Sequence, residues 1–240
     1  PASFTLNDAG TDTETCTNVP IGNYTVAEGA DPSGFVLDSL TCSATGSGTG
    51  AQDGTNPKQA NIAIVAGGDT VTCTYVNKQQ LGAIKVSKTS SKTGNALAGA
   101  QFSVTGPGGF STTLTTGADG TACVDNLAFG SYTVTETAAP TGFVIDDPSG
   151  QPVTVDTNTS CGSGNEESLS FTNTPTADIQ VRFRDGGSGE TSLVSPLSCD
   201  NASGSSSSAG TLGWDDTLTV SGIEIDAATV TVTCTIVIDP

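Results

Sequence analysis

The sequence predicts an all-β protein built of tandem β-sandwich domains, on three observations. Thr, Ser, Val and Gly dominate a chain with no Met, no His and few aromatics, a composition that suits short strands and leaves little for amphipathic helices. Runs such as VTCTYVN at 71–77 and TVTVTCTIVID near the C-terminus alternate with the two-residue period of a half-buried strand. The third is an internal repeat: Asn126 to Asp146, NLAFGSYTVTETAAPTGFVID, is a near copy of Asn18 to Asp38, NVPIGNYTVAEGADPSGFVLD.

Taken in order, a first segment runs from Pro1 to about residue 79 and closes on VTCTYVN, followed by the linker-like KQQLG. A second, 80–175, opens with AIKVSK and ends at LSFTN before Thr174-Pro175, where a proline should break the strand. A third, 176–240, starts with ADIQVRFRD, crosses NASGSSSSAG and finishes on TVTVTCTIVID. Laid on the second segment, the first has nothing to match Ala83 to Pro107. The first domain is thus expected to lack its opening two strands, which either precede it in a longer chain, the bland reading, or come from another molecule.

The net charge of −18 and only 7 Lys and Arg argue against nucleic acid or an anionic membrane as partner. There is no apolar run long enough to span a bilayer and no signal peptide or sorting motif, the pattern of a mature or trimmed product. The 7 cysteines show no CxxC spacing and there is no histidine, so disulfides are expected rather than zinc or redox sites, and with them a location outside the cytosol. The expected pairs are Cys42 with Cys73, Cys123 with Cys161 and Cys199 with Cys234, leaving Cys16 for a missing strand, a neighbouring molecule or a free buried thiol. Acidic pairs such as Asp146-Asp147 lack the oxygen spacing of a calcium loop, and neither metal nor cofactor is expected.

The chemistry centres on the repeated glutamate. Tyr132, Val134 and Glu136 share one strand face, as do Leu169, Phe171 and Asn173 on the closing strand, so Glu136 and Asn173 should point inward. A buried lysine beside them would complete a reactive set, because desolvation favours the neutral forms of both amine and carboxyl. The amine would attack the side-chain amide of Asn173, Glu136 would polarise the carbonyl and shuttle protons, and ammonia would leave behind a Lys–Asn isopeptide bond.

These residues carry a resemblance. IKVSKTSSKTGNALAGAQFSV at Ile84 to Val104, YTVTETAAPTGF at Tyr132 to Phe143 and LSFTN at Leu169 to Asn173 resemble the B-type repeat domains of Gram-positive collagen adhesins and pilins, also called CnaB or prealbumin-like domains. The resemblance implies an Ig-like or prealbumin-like sandwich with Lys85 as the amine, Glu136 as the catalytic acid and Asn173 as the acceptor. Alternation instead places Lys88, not Lys85, on the face of Ile84 and Val86; the expectation here follows the resemblance. The first domain keeps Glu28 and Asn77 as a half-site without a lysine strand. Gln180 takes the lysine's place in the third segment, where no bond is expected.

Apart from this self-directed crosslink, no residue set suggests turnover, so the chain is not expected to be an enzyme. The function expected is that of an extracellular structural subunit of a bacterial surface adhesin, pilus or filament, with the same protein or neighbouring domains as partners. The competing class, an adhesin module gripping a matrix protein or glycan, would need a binding platform, for which Trp214 is the only tryptophan available.

Overall fold

The computed structural model describes residues 4–6, 12–182, 192–194, 198–199, 210–212, 217–225, 234–235 and 238–239. The chain falls into two compact units, Pro1–Gln80 and Leu81–Pro240. All but one of the elements among the described residues are strands, the exception being a 3-10 turn at Pro107–Gly109.

Unit 1 contains β1 (Gly22–Ala27), β2 (Phe35–Thr45), β3 (Thr49–Gln52), β4 (Gln59–Ile64) and β5 (Thr70–Gln79). They form a three-stranded sheet in the order β1-β4-β3 and a separate antiparallel pair of β2 with β5. Cys42 lies directly opposite Cys73 in that pair, and the two are joined by a disulfide. No strand precedes Gly22 among the described residues, and Cys16, in this stretch, is exposed and unpaired.

Unit 2 begins with β6 (Leu81–Ser90), β7 (Gln101–Thr105), β8 (Ser111–Thr115), β9 (Thr121–Ala128), β10 (Gly130–Ala138), β11 (Phe143–Ile145), β12 (Gln151–Val155) and β13 (Glu167–Arg182). One sheet has the order β12-β10-β7-β8 and the other β11-β13-β6-β9. Alternation explains the packing: Phe102 and Val104 of β7, Tyr132 and Val134 of β10 and Val155 of β12 meet Ile84 and Val86 of β6, Leu127 of β9 and Phe171 of β13 in one buried core. The rings of Phe102 and Phe171 cross it at 4.8 Å between centroids. Each fully buried side chain of this size contributes about 1.5–3 kcal/mol by leaving water. Cys123 and Cys161 form the second disulfide.

Two features position the site. β6 and β13, far apart in sequence, are parallel neighbours, with Lys88 opposite Phe171 and Ser90 opposite Asn173. β13 also does not stop at Thr174-Pro175, as the sequence suggested, but runs on to Arg182 and pairs with β17 (Thr217–Glu224). The proline is tolerated because its N–H is not needed: pairing with β6 ends at Asn173, and pairing with β17 starts at Thr176. The remaining described strands are β14 (Ser192–Val194), β15 (Ser198–Cys199), β16 (Gly210–Leu212), β18 (Cys234–Thr235) and β19 (Ile238–Asp239). β15 and β18 set Cys199 opposite Cys234, but the bond expected between them lies outside the described residues, as does Trp214.

The repeat survives in detail. Asn18 and Asn126 take nearly the same left-handed φ, 59° and 58°, at the turn entering each copy. The Tyr24 hydroxyl donates to the Pro20 carbonyl at 2.6 Å, and the Tyr132 hydroxyl donates to the Ala128 carbonyl at 2.8 Å. β1 and β10 are therefore equivalent strands, as are β5 and β13, which carry Asn77 and Asn173.

Candidate functional site

Lys88, Glu136 and Asn173 come together inside unit 2. Glu136 reaches across the core from β10, opposite Phe102, while Lys88 and Asn173 stand on the adjacent strands β6 and β13 of the facing sheet. Burial is essentially complete, with exposures of 0% for Lys88, 3% for Glu136 and 0% for Asn173. Of the five buried polar or charged residues among those described, these are three.

The contacts close a triangle. Lys88 Nζ lies 2.9 Å from Glu136 Oε2 and donates to Asn173 Oδ1 at 2.6 Å. Asn173 Nδ2 donates to Glu136 Oε1 at 2.7 Å. A carbonyl bond of about 1.23 Å then puts Nζ within roughly 3.8 Å of the amide carbon, close to the separation of a near-attack pair. Burial pushes the Lys88 ammonium below the ordinary lysine range, against a smaller opposing pull from the hydrogen bond and charge of Glu136 and from the charge of Asp146.

Two expectations need correction. The lysine in the site is Lys88, not Lys85. β6 alternates strictly from Ile84 onward, so Ile84, Val86, Lys88 and Ser90 face the core, while Lys85 turns to the other face, into the field of Asp119 and Glu166. Glu136 also meets the amide nitrogen of Asn173 rather than its carbonyl oxygen, which Lys88 occupies. The carboxyl thus bridges the lysine and amide nitrogens, one oxygen to each.

Unit 1 assembles half of this set. Asn77 Nδ2 donates to Glu28 Oε1 at 2.6 Å, as in the full site, but Asn77 is exposed and Glu28 only half-buried. No lysine joins them. Lys58 Nζ pairs with Asp31 at 2.7 Å, and Lys78 follows Asn77 directly on β5, so its side chain leaves the opposite face. Gln180, which takes the lysine's place in the third segment, is exposed. Asp146 accepts from the Thr172 hydroxyl at 2.6 Å, and Asp147 accepts from the Ser149 backbone N–H at 2.9 Å and from its hydroxyl. Both acidic residues are engaged in local hydrogen bonds.

Two sequence profiles described as a prealbumin-like fold domain match the chain, one over residues 82–167 and the other over residues 1–79. No curated protein matches. Among solved structures, the chain is 19% identical to the major pilin subunit of Bacillus cereus, covering 60% of this chain and 54% of that one with a TM-score of 0.37. It is 18% identical to the full-length major pilin SpaD of Corynebacterium diphtheriae, covering 58% and 50% with a TM-score of 0.32. For a C-terminal fragment of the pilus adhesin SpaC of Lactobacillus rhamnosus GG the identity is 19%, the coverage 67% and 79% and the TM-score 0.45. The chain spans about half the length of the Bacillus cereus pilin. With profiles over both its repeated segments and a fold to match, the chain belongs to the family of prealbumin-like fold domains.

Proposed function

We propose that unit 2 forms an isopeptide bond between Lys88 and Asn173, promoted by Glu136, and that the chain is a structural subunit of a Gram-positive surface pilus, filament or adhesin. The observation that carries this reading is the closed, solvent-free triangle of Lys88, Glu136 and Asn173. A buried cation and anion are costly to keep in an apolar core, and here the third member is an amide whose carbon lies within reach of the amine.

The reaction balances within the three side chains. One proton passes from Lys88 Nζ to Glu136 Oε2 over the 2.9 Å contact, leaving a neutral amine and a carboxylic acid. Nζ then attacks the amide carbon of Asn173. Glu136 turns its carboxyl to deliver the proton taken up on Oε2 to Nδ2, takes a second proton from Nζ, and the intermediate expels ammonia. Nζ, which began with three protons, ends with one; ammonia leaves with three; the last remains on Glu136. Turnover stops there, since the catalyst has consumed its own side chains.

The bond would tie β6 to β13, the first and last strands of the domain. In a load-bearing filament the chain between them then need not extend under tension, and the native state resists proteases through slow unfolding. Tandem mass spectrometry of a tryptic digest tests the chemistry. A branched peptide joining the Lys88 segment to the Asn173 segment is the expected product, whereas separate peptides with Lys88 cleaved and Asn173 intact contradict the reading.

A further inference from the structure

The Cys123–Cys161 disulfide lies beside the crosslink site without taking part in it. Lys85, three residues before Lys88 on β6, has Cys123 of β9 opposite it on one side and Ser168 of β13 opposite it on the other. Residues directly opposite each other share a face, so Cys123 lies on the face of Lys85, away from Lys88. Its partner Cys161 stands six residues before β13 begins at Glu167. The disulfide thus fastens the lead-in of β13 to the strand on the far side of β6.

That lead-in is docked at several points. Thr159 N–H donates to the Leu81 carbonyl at 3.0 Å, Leu81 N–H donates to Asn158 Oδ1 at 3.3 Å, and a Cβ on Gly82 would come within 2.7 Å of the Thr157 carbonyl oxygen. Around Cys161 the chain turns tightly: Ser163 N–H donates to the Ser160 carbonyl at 3.2 Å, and Gly162 N–H donates to the Glu166 carboxylate. β13 then starts with Glu167 opposite Ile84, and that start decides where Asn173 falls.

The alternation of β13 cannot decide it alone. Ser168, Ser170 and Thr172 alternate with Leu169, Phe171 and Asn173, so a one-residue slip against β6 would bury hydroxyls and expose Leu169 and Phe171. A two-residue slip keeps every face, yet it moves Asn173 by about 6.6 Å along β6, out of reach of Lys88 Nζ. A tether at the head of β13 separates these registers. It also shortens the search: with Cys123 held opposite Lys85, Asn173 is 12 residues from the fixed Cys161, whereas 85 residues separate it from Lys88 along the chain. Loop-closure entropy then favours docking on the order of tenfold.

We propose that Cys123 and Cys161 are positioning residues for the isopeptide reaction and that their oxidation gates it: the disulfide sets the register of β13 on β6, and Lys88 meets Asn173 efficiently only once it has formed. The two thiols pass two protons and two electrons to a second disulfide, such as oxidised glutathione, which becomes two thiols. The isopeptide step itself is unchanged and consumes no oxidant. In a reducing compartment the chain stays largely uncrosslinked, and in an oxidising one it locks.

Gating rests on the Lys88–Asn173 bond proposed above, and one experiment separates the two. The 240-residue chain is made by cell-free synthesis in dithiothreitol and divided between dithiothreitol and oxidised glutathione. Intact mass is followed over time on samples reduced just before measurement, with the folded fraction read by circular dichroism. Expected is ammonia loss on the order of tenfold faster per folded molecule with oxidised glutathione. Cys123→Ser and Cys161→Ser should keep the slow rate in both conditions, while the double variant Cys42→Ser, Cys73→Ser should respond as the wild type does. A reduced chain that crosslinks as fast as the oxidised one, a slow rate fully accounted for by the unfolded fraction, or a response that needs Cys42 and Cys73 instead overturns the gating role and leaves the crosslink standing. A chain that keeps its full mass in both conditions overturns the parent reading, and this one with it.

Discussion

A lysine with no solvent exposure survives in a core only if its charge is matched or removed, and Lys88 is provided for both ways, by Glu136 and by a lowered proton affinity. The two lysines of IKVSK are three residues apart, so on a strand they face opposite sides. A motif containing both cannot say which faces the core, but the two-residue period can, and it selects Lys88. Lys88→Ala should therefore leave the chain at full mass, while Lys85→Ala should still lose ammonia; intact mass distinguishes them. The cost of losing the bond follows from loop closure. A crosslink spanning 85 residues is worth roughly 4–5 kcal/mol, or on the order of 10–20 °C in the melting temperature of unit 2, readable by calorimetry on Lys88→Ala against Lys85→Ala. The pH dependence has a definite sign. Because burial lowers the Lys88 proton affinity below the ordinary 10.5, free amine is present in the folded state at pH values where an exposed lysine is still charged. Crosslinking on refolding should hold its rate while Lys88 and Glu136 share one proton and fall as pH rises through that lowered value, where the pair has lost the proton that Glu136 passes to Nδ2. Before the bond closes, the native state holds fewer protons on Lys88 than the unfolded chain does between the lowered value and 10.5, so Lys88's contribution to stability also rises with pH across that window. A rate that instead kept rising through that value would count against Glu136 as the proton carrier.

At the scale of elements, the fit of β6 to its neighbours sets the attacking geometry. Gly120, with φ of +71°, lies where a Cβ would come within 2.5 Å of the Lys88 carbonyl oxygen, and Lys88 accepts no such crowding without moving its strand. Gly120→Ala should cost about 1–3 kcal/mol and slow crosslinking, as thermal denaturation and timed mass measurements would show. Strand identity was legible where alternation was clean, in β5, β6 and β10, and so were the Cys42–Cys73 and Cys123–Cys161 pairs. The continuation of β13 through Pro175 was not, because a sequence does not reveal that a strand changes neighbours at that residue. Nor was the side of the Asn173 amide that Glu136 would meet, since carbonyl and NH2 ends are equivalent to any pattern and only the packed neighbours choose between them.

For the whole molecule, the repeat divides the chain into a sealed unit and an open one. Every large hydrophobic side chain exposed among the described residues, from Phe4 to Val76, belongs to Pro1–Gln80. Among the described residues no strand precedes Gly22, although the repeat aligns residues 12–20 with β9 of unit 2. Under force the two units should behave differently. Pulling a single chain from its ends should extend unit 1, while the 85-residue separation between Lys88 and Asn173 withholds about 300 Å of contour length that Glu136→Ala restores. One covalent event underlies all of these expectations, and the intact mass of the purified chain under reducing conditions decides it. The wild-type chain should be lighter than its sequence by one ammonia, with full mass regained in Glu136→Ala; a wild-type chain of full calculated mass would rule the bond out.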